Sequence, residues 1–366
     1  MPTPHDLTRL GQAVWLDFIQ RSFLRDAGLS RLVAEGVRGV TSNPTIFQKA
    51  IGESDDYDQQ LREVPRDAST EEAYEALAIA DIARACDELR PTYDRLDARD
   101  GFVSLEVSPA LAHDTAGTVA AAKRLAAAVG RPNLMIKVPG TAAGVPAIAE
   151  LIGAGVNVNV TLLFSVAGYR AVAAAYLDGL TTLAQAGPSV PGGHTVDRIG
   201  SVASFFVSRV DTTVDDALPG DSPLLGTAAV ANAKIAYAAF QSIFAGDRWE
   251  TLAAAGARVQ RLLWASTSTK NPAYSPTKYV DDLIGPDTVN TMPPETLDAF
   301  RDGGTAAVTL TGGLDEAQRQ LEGLAGAGVD LERVTADLQQ AGVAAFADSF
   351  DALLASVEHK RSELAA

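Results

Sequence analysis

The sequence predicts a parallel (β/α)8 barrel, a closed ring of eight strands with helices around it. Three observations support this fold. Eight short apolar runs alternate with longer stretches rich in Ala and Leu, which is the pattern of successive β-α-β units. Polar residues alternate with apolar ones near the ends of several runs. The length of 366 residues suits one barrel with additional helices, since α/β barrels routinely exceed about 200 residues as one domain.

A doubly wound open sheet is the alternative that the same order of strands and helices allows. The barrel is preferred because of where the polar residues fall. Alternate side chains of a barrel strand point inward, and barrel enzymes gather their chemistry at the C-terminal ends of the strands. We therefore expect a single domain over residues 1–366, a barrel with a C-terminal helical extension.

The predicted strands follow one another at intervals long enough for a helix. In chain order they are VWLDF (14–18), GVTSN (39–43), FVSLEV (102–107), LMIKV (134–138), VNVNVTLLF (156–164), VASFFV (202–207), LLWAST (262–267) and TVNTM (288–292).

Helical patterns lie between and after these runs. The stretches 117–129 and 226–244 predict two of the helices that separate strands, and the block 72–96 predicts another. The segment 349–366 predicts an amphipathic helix that packs on the barrel exterior or across its mouth. The Gly- and Pro-rich stretch 186–195 predicts a loop and not a domain linker.

The composition limits the partners and the compartment. The formal net charge is -16, which argues against nucleic acid and anionic membrane surfaces and requires a locally basic pocket for any phosphate. The single cysteine, Cys86, excludes an intrachain disulfide. A lone cysteine and an N-terminus without a secretory signal pattern predict a cytoplasmic protein. No run of about 18 apolar residues predicts a membrane span. The four histidines are scattered, so we expect no metal site.

Polar residues on the inward faces of the predicted strands form one candidate site. In VNVNVTLLF, Asn157, Asn159 and Thr161 share a face opposite the valines. The same alternation applies to the other runs, and polar groups that point into a closed barrel need partners or a ligand. The set comes from six predicted strands and comprises Asp17, Asn43, Glu106, Lys137, Asn159, Thr161 and Ser204.

Lys137 is the residue that suggests a chemistry. It lies in an apolar strand, where burial disfavours the ammonium form. A neutral amine attacks carbonyl groups and forms a Schiff base, whose protonated imine draws electrons from a neighbouring C–C bond. Such a reaction needs groups that move protons, and Asp17 and Glu106 are the available pair. The residues alone therefore predict lysine-dependent carbonyl chemistry.

Each of these residues also has a structural interpretation. Lys137 could be neutralised by Glu106 or Asp17 in a buried ion pair. Asp17 could cap the following helix, and Asn43, which precedes Pro44, could do the same or form a turn. The polar face of the fifth strand could be an internal hydrogen-bond network. The functional interpretation is favoured because it explains all of them at once.

A phosphate site is suggested after the late strands, where barrels often bind phosphate. Arg209 follows the sixth predicted strand, and Ser266 and Lys270 lie at and beyond the end of the seventh. The alternative for Arg209 is a surface salt bridge with Asp211 or Asp215.

Five segments, in this order, resemble the transaldolase family: GVTSNPTIF, VSLEV, IKVPGT, GVNVNVTLLFS and ASFFVSRVD. The resemblance extends from about Val14 to the strand near Met292, and TSNPT and NVTLLFS are its most specific parts. The length and the segment LLWASTSTKNP indicate the longer bacterial branch. The resemblance implies a barrel of the class I aldolase type that uses no metal and no cofactor.

The resemblance also implies roles for the candidate residues. Lys137 falls on the Schiff-base lysine of the family. Asp17 falls on the aspartate that takes the proton from the donor sugar's hydroxyl as the C–C bond breaks. Glu106 falls on the glutamate that manages the catalytic water together with Thr161.

The substrate-binding positions follow in the same way. Asn43 and Asn159 match positions that hold substrate hydroxyls and the bound three-carbon unit, and Thr41, beside Asn43, is expected to contact substrate as well. Ser204 and Arg209 match the segment that leads to the phosphate.

The sequence departs from the family pattern near the phosphate. Shorter members carry an arginine soon after the serine that matches Ser266, whereas this chain reads STSTK. We expect Lys270 to supply the positive charge, although without the planar fork of a guanidinium.

The implied reaction moves a dihydroxyacetone unit from sedoheptulose 7-phosphate to glyceraldehyde 3-phosphate, within the pentose phosphate pathway. Three alternatives remain: an aldolase that releases free dihydroxyacetone, a noncatalytic sugar-phosphate-binding barrel, and a pyridoxal-phosphate enzyme that uses Lys137. The aldolases of the family are much shorter. No Gly-rich phosphate cup follows the lysine's strand, which counts against pyridoxal phosphate.

Overall fold

The strands form a closed parallel barrel in which each strand pairs with its neighbours in chain order and the eighth pairs with the first. This computed structural model describes residues 1–187 and 195–365. The predicted fold is confirmed. The strands are β1 Gln12–Leu16, β2 Val37–Val40, β3 Phe102–Glu106, β4 Leu134–Pro139, β5 Val158–Leu163, β6 Ser201–Phe206, β7 Arg261–Ala265 and β8 Thr288–Met292.

The largest differences from the predicted bounds occur in the first, second, fifth and seventh strands, and β7 ends before Ser266. β1 and β2 begin two residues earlier than predicted and end before Asp17 and Thr41, respectively. The predicted run 156–164 begins as a strand only at Val158. The Asn157 side chain donates to the carbonyls of Pro132 and Leu134. The Asn157 amide therefore bonds groups at the N-terminal end of the barrel and does not line the chamber described below.

Helices surround the barrel. They are α1 Pro4–Arg9, α2 Arg21–Arg25, α3 Gly28–Ala34, α4 Pro44–Gly52, α5 Asp58–Glu63, α6 Thr70–Arg95, α7 Thr115–Val129, α8 Gly144–Gly153, α9 Val166–Ala186, α10 Ser208–Ala217, α11 Ala228–Ile243, α12 Asp247–Ala254, α13 Lys278–Asp281, α14 Pro294–Gly303, α15 Leu314–Gly326 and α16 Leu331–Ala365.

The three helical stretches predicted before the C-terminal region are confirmed as α6, α7 and α11. Capping explains where two of them begin. Ser69 caps α6 in a capping box with Glu72, and the Asp114 side chain caps α7. The predicted loop at 186–195 begins where α9 ends, and most of it lies outside the described residues.

The N-terminal end of the barrel interior is filled. The Trp15 indole N–H donates to Asp100 Oδ1 at 2.8 Å, and Arg261 forms an ion pair with Asp100 Oδ2 at 3.1 Å. The rings of Trp15 and Phe102 lie 6.4 Å apart. Trp15, Asp100 and Phe102 are 2% exposed or less. Among the described residues, these side chains close the N-terminal end of the barrel interior.

The last helix reaches the C-terminal end of the barrel. α16 is much longer than the predicted segment 349–366 and begins at Leu331. The Gln339 side chain reaches the ends of β4 and β5, and Lys360 forms an ion pair with Asp58 at 3.1 Å. The earlier part of α16, which the prediction did not include, reaches the mouth with Gln339 and Phe346. The predicted segment 349–366 packs on the exterior, against α4, α5 and α6. None of the helices in the described ranges is both long and apolar enough to span a membrane.

Candidate active site

A chamber of about 650 Å3 opens at the C-terminal ends of the strands. Most of the predicted site residues line it, namely Asp17, Thr41, Asn43, Lys137, Thr161, Ser204, Arg209, Ser266 and Lys270. Two predicted residues lie outside its lining. Glu106 lies beside Lys137 and borders a small separate cavity, and Asn159 lies beneath the floor, fully buried. The barrel thus brings residues from distant parts of the sequence to one space.

Lys137 is held near the end of β4 by one hydrogen bond and one ion pair. Its Nζ donates to the carbonyl of Ser42 at 3.1 Å and lies 3.3 Å from Glu106 Oε2. The Lys137 side chain is only 6% exposed. The buried ion pair that the sequence left open is therefore present, and it places a carboxylate beside the amine.

Asp17 is the second carboxylate near the lysine. Its Oδ1 accepts a hydrogen bond of 2.6 Å from the Thr41 hydroxyl. That hydroxyl lies 2.7 Å from the Thr291 hydroxyl, which must donate because the Thr41 proton is already used. Asp17 does not cap a helix, so the structural interpretation of this residue is not supported.

Burial changes the acid strength of both carboxyl groups. Desolvation raises the pKa of Asp17, and the Lys137 charge and the Thr41 hydrogen bond oppose that rise. Desolvation also raises the pKa of Glu106, again opposed by Lys137, while the Asp17 charge adds to the rise. A carboxyl group whose pKa is raised toward neutrality is a better proton carrier at physiological pH. Both groups are therefore suited to acid–base catalysis.

Thr161 lies where β5 departs from regular pairing. The register between β5 and β6 shifts between Val160 and Leu163, and Leu162 has φ 60°. The Thr161 hydroxyl is buried, and among the described residues it has no hydrogen-bond partner. A buried hydroxyl without a partner is costly, so this group is placed to bind water or substrate.

A chain of hydrogen bonds links three strands beneath the floor. The Ser204 hydroxyl donates to Asn159 Oδ1 at 2.7 Å, and Asn159 Nδ2 donates to Ser104 Oγ at 2.9 Å. The internal network suggested for the fifth strand thus exists at Asn159. Ser204 is the member of this chain that lines the chamber.

Asn43 serves as the N-cap of α4. Its Oδ1 accepts from the backbone N–H of Ile46 at 3.0 Å, which confirms the helix-cap interpretation. Asn43 also lines the chamber. The cap fixes the side chain, so its Nδ2 group has a defined position at the chamber wall.

Arg209 lies in the first turn of α10 and lines the chamber. It makes no salt bridge with any described residue. Asp211 instead accepts from Ala229 N and the Tyr279 hydroxyl, and Asp215 accepts from Gly226 N and the Tyr274 hydroxyl. The surface salt bridge proposed for Arg209 is therefore absent. Desolvation lowers the pKa of Arg209, and such a partly buried cation is suited to binding an anion.

Ser266 and Lys270 complete this side of the chamber. Ser266 has φ 55°, and its Oγ lies 3.0 Å from Oγ of Ser208 at the start of α10. Lys270 is exposed at the rim and donates to Ser268 Oγ at 2.9 Å. The chamber therefore has a basic side in a protein that carries a large negative charge.

The sequence did not single out two aromatic residues of the chamber. Phe206 lies beneath the Arg209 guanidinium, with 5.5 Å from Cζ to the ring centroid. The ring centroid of Phe346, on α16, lies 5.5 Å from Lys137 Nζ. Phe206 is the last residue but one of the predicted strand 202–207 and could have been found from that position. Phe346 could not, because its place depends on how α16 docks.

Comparisons with known proteins agree with this architecture. A family model described as Transaldolase/Fructose-6-phosphate aldolase matches residues 14–357. A protein named Transaldolase from Thiobacillus denitrificans is 50% identical over 359 residues, which cover 96% of this chain and 98% of the relative. Transaldolase 1 of Streptomyces coelicolor is 48% identical, with 95% of this chain and 92% of the relative covered. Transaldolase of Thermobifida fusca is 49% identical, with 95% of each chain covered.

Proposed function

The chain belongs to the transaldolase/fructose-6-phosphate aldolase family, and on that premise we propose how its chamber carries out the transaldolase reaction. A dihydroxyacetone unit passes from sedoheptulose 7-phosphate to glyceraldehyde 3-phosphate, which gives erythrose 4-phosphate and fructose 6-phosphate. The observation that supports Lys137 as the nucleophile is its placement. Nζ is buried in the barrel, 3.3 Å from Glu106 Oε2, and Lys137 lines the same chamber as Asp17 and Thr161.

The first step joins the lysine to the donor sugar. Glu106 takes a proton from the Lys137 ammonium, and the neutral amine attacks the keto carbon and gives a carbinolamine. Glu106 donates a proton to the carbinolamine hydroxyl, which leaves as water as the protonated imine forms. The Thr161 hydroxyl, which has no hydrogen-bond partner among the described residues, holds that water for the later hydrolysis.

The second step breaks the C–C bond. Asp17 removes the proton from the hydroxyl on C4 of the donor, and the electrons of the C3–C4 bond move into the protonated imine. An enamine of dihydroxyacetone stays on Lys137, and erythrose 4-phosphate leaves. Thr41 positions Asp17 through its 2.6 Å hydrogen bond.

The transfer then runs in the reverse sense with a new aldehyde. The enamine carbon attacks the carbonyl carbon of glyceraldehyde 3-phosphate, and Asp17 returns its proton to the oxygen that forms. Glu106 and the retained water hydrolyse the imine and release fructose 6-phosphate. The lysine is restored, so the cycle needs no cofactor.

The remaining predicted residues hold the substrates. Arg209 binds the phosphate as a partly buried cation, Ser266 donates to it, and Lys270 adds charge at the rim. The Asn43 amide and Ser204 contact hydroxyls of the sugar. Asn159, which lies beneath the floor, acts through its bond to Ser204.

We propose the domain organisation, the class of substrate and the compartment that the sequence predicts. The barrel and its C-terminal helices form one domain, because α16 docks on α4 and α5 and supplies Phe346 to the chamber. The substrates are sugar phosphates and not nucleic acid. The protein acts in the cytoplasm, where these metabolites occur and where the buried thiol of Cys86 stays reduced.

The test is borohydride trapping with fructose 6-phosphate, followed by peptide mass spectrometry. We expect a reduced three-carbon adduct on Lys137 and no adduct in Lys137→Met. A matched control is Lys123→Met, since Lys123 lies on the outer helix α7 and pairs with Glu150. Discharge of the unreduced intermediate by glyceraldehyde 3-phosphate would distinguish a transferase from an aldolase.

Two outcomes would contradict the proposal. Sugar phosphate that binds without any adduct would identify a noncatalytic binding protein with Lys137 as an anchor. A yellow protein whose colour is lost in Lys137→Met would identify a pyridoxal-phosphate enzyme.

A further inference from the structure

Gln339 on α16 connects the last helix to the two strands that carry Lys137 and Thr161. Its Nε2 donates to the carbonyl of Gly140 at 3.1 Å and to the carbonyl of Leu162 at 3.0 Å. Gly140 directly follows β4, and Leu162 lies in the irregular part of β5. One side-chain amide therefore links the ends of both strands.

The two carbonyls enclose the backbone of Thr161. The N–H of Gly140 donates to the Thr161 carbonyl at 2.8 Å. Leu162 is the next residue after Thr161. Gly140 thus holds the backbone of Thr161, and Gln339 holds the residue that follows it. The Gln339 amide therefore fixes the segment that carries the Thr161 hydroxyl.

Leu162 needs such support because its backbone is strained. Its φ of 60° lies in the left-handed region, where the Cβ of an L-residue crowds the next carbonyl. Conformations of this kind persist where the surroundings hold them and are concentrated at functional sites. If Leu162 relaxed to an ordinary strand conformation, the direction of Thr161 would change.

The helix approaches closely enough to impose this geometry. A Cβ at Gly342, three residues after Gln339, would lie 2.9 Å from Leu162 Cδ2. Gln339 is partly buried, and the amide of a glutamine offers two N–H donors for two carbonyls, which neither Glu nor Leu offers.

We propose that Gln339 is a positioning residue for the reaction. It holds the bulge of β5 so that the Thr161 hydroxyl faces the carbinolamine formed at Lys137. The proposal rests on the role given above to Thr161. It assigns to a C-terminal helix a part in the dehydration and hydrolysis steps, without contact with the substrate.

The test is a double-mutant cycle of Gln339→Leu and Thr161→Ala. We expect Gln339→Leu to lower kcat about 10-fold, as small misplacements of catalytic groups do, with KM for both sugar phosphates changed less than about twofold. In single turnovers, formation of the trappable adduct should slow by the same factor as kcat. In the Thr161→Ala background, Gln339→Leu should have almost no further effect on the rate.

Gln340→Leu is the matched control, because Gln340 is the exposed neighbour on the same helix. It should leave kcat and adduct formation unchanged. Additive losses in the double variant would overturn the proposal, as would an unchanged kcat in Gln339→Leu. A loss of kcat in Gln339→Leu when Thr161→Ala is fully active would overturn it too. The adduct on Lys137 in the unaltered protein tests the proposed function separately.

Discussion

Oε2 of Glu106 lies 3.3 Å from Nζ of Lys137, and this pair is enclosed by the barrel. On the other side the amine donates to the Ser42 carbonyl at 3.1 Å. The lysine is therefore oriented before a substrate arrives, and its carboxylate partner is already within reach of the atoms that must exchange protons. Such preorganisation is how a barrel makes a side chain reactive.

Asp17→Asn should separate imine formation from C–C cleavage. The amide cannot accept the proton of the C4 hydroxyl, so kcat should fall by about 10²–10⁴-fold, the usual contribution of a general base. Imine formation depends on Glu106 and Thr161 and should continue. Borohydride trapping with fructose 6-phosphate should then give an adduct of the intact six-carbon sugar phosphate on Lys137. A three-carbon adduct formed at the normal rate would assign the base to another residue.

Glu106→Gln should change how stability depends on pH. Burial raises the pKa of Glu106 in the folded protein. Between the pKa of Glu106 in the unfolded chain and its raised pKa in the folded protein, the folded state binds more protons than the unfolded state. Stability therefore falls as pH rises through that window. Gln removes this contribution. Urea denaturation would measure the free energy of unfolding of both proteins. The value for the variant minus the value for the unaltered protein should increase as pH rises above the usual pKa of a carboxyl group.

The control for this effect is Glu75→Gln. Glu75 lies on the outer helix α6 and forms an ion pair with the exposed side chain of Arg124. Its substitution should give no such increase with pH. A flat difference curve for Glu106→Gln would mean that the ion pair with Lys137 offsets the cost of burying the carboxylate.

Arg209 and Lys270 should contribute unequally to phosphate binding. Arg209 is partly buried and Lys270 is exposed at the rim. Hydrogen bonds to charged groups are worth about 1.5–3 kcal/mol, so Arg209→Met should raise KM for sugar phosphates by about 10–150-fold. An exposed charge is worth about 0–1 kcal/mol, so Lys270→Met should raise it by less than about fivefold. Steady-state kinetics at two salt concentrations would check both, and equal effects would contradict this division.

Phe346→Ala should open the chamber to water. The Phe346 ring centroid lies 5.5 Å from Lys137 Nζ, so its loss exposes the bound enamine to protonation and release. We expect free dihydroxyacetone to accumulate from fructose 6-phosphate without an acceptor. Stability should fall toward the lower end of the range of about 3–5 kcal/mol for a buried Phe→Ala, because one side of the ring faces the chamber.

Phe350→Ala is the control for the loss of packing. Phe350 lies one turn further along α16, packs against Tyr74 with ring centroids 5.6 Å apart, and does not line the chamber. It should lose stability without releasing dihydroxyacetone. Equal release from both variants would show that a loosened helix, and not the ring itself, admits water.

The barrel and most of its chamber could be predicted because strand periodicity is local. Lys137 and Asn159 pair directly across β4 and β5, and Glu106 pairs with Lys137 across β3 and β4. Alternation along each run was enough to place these residues near the same end. Asn157, which shares the face of Asn159 but was not among the candidate site residues, bonds backbone groups near the start of the strands, in agreement with the hydrogen-bond network that the sequence left open for this face.

The contribution of α16 could not be predicted from the same signals. Its hydrophobic periodicity indicates that one face is buried, but not which surface covers it. The position of Phe346 beside Lys137 depends on contacts such as the 3.0 Å bond between Thr45 and Ser349, more than 300 residues apart. The strain at Leu162 likewise has no signature in the run VNVNVTLLF, because leucine is common in ordinary strands.

The eight strands end at Met292, whereas Gln339 and Phe346 belong to a helix that begins at Leu331. The strands that carry the proposed catalytic residues and the helix that covers them are therefore separate segments of the sequence. Substitutions in α16 can alter the chamber wall at Phe346 while strand pairing and Lys137 stay as they are. Evolution, or a protein engineer, can thus vary this part of the wall by changing one helix.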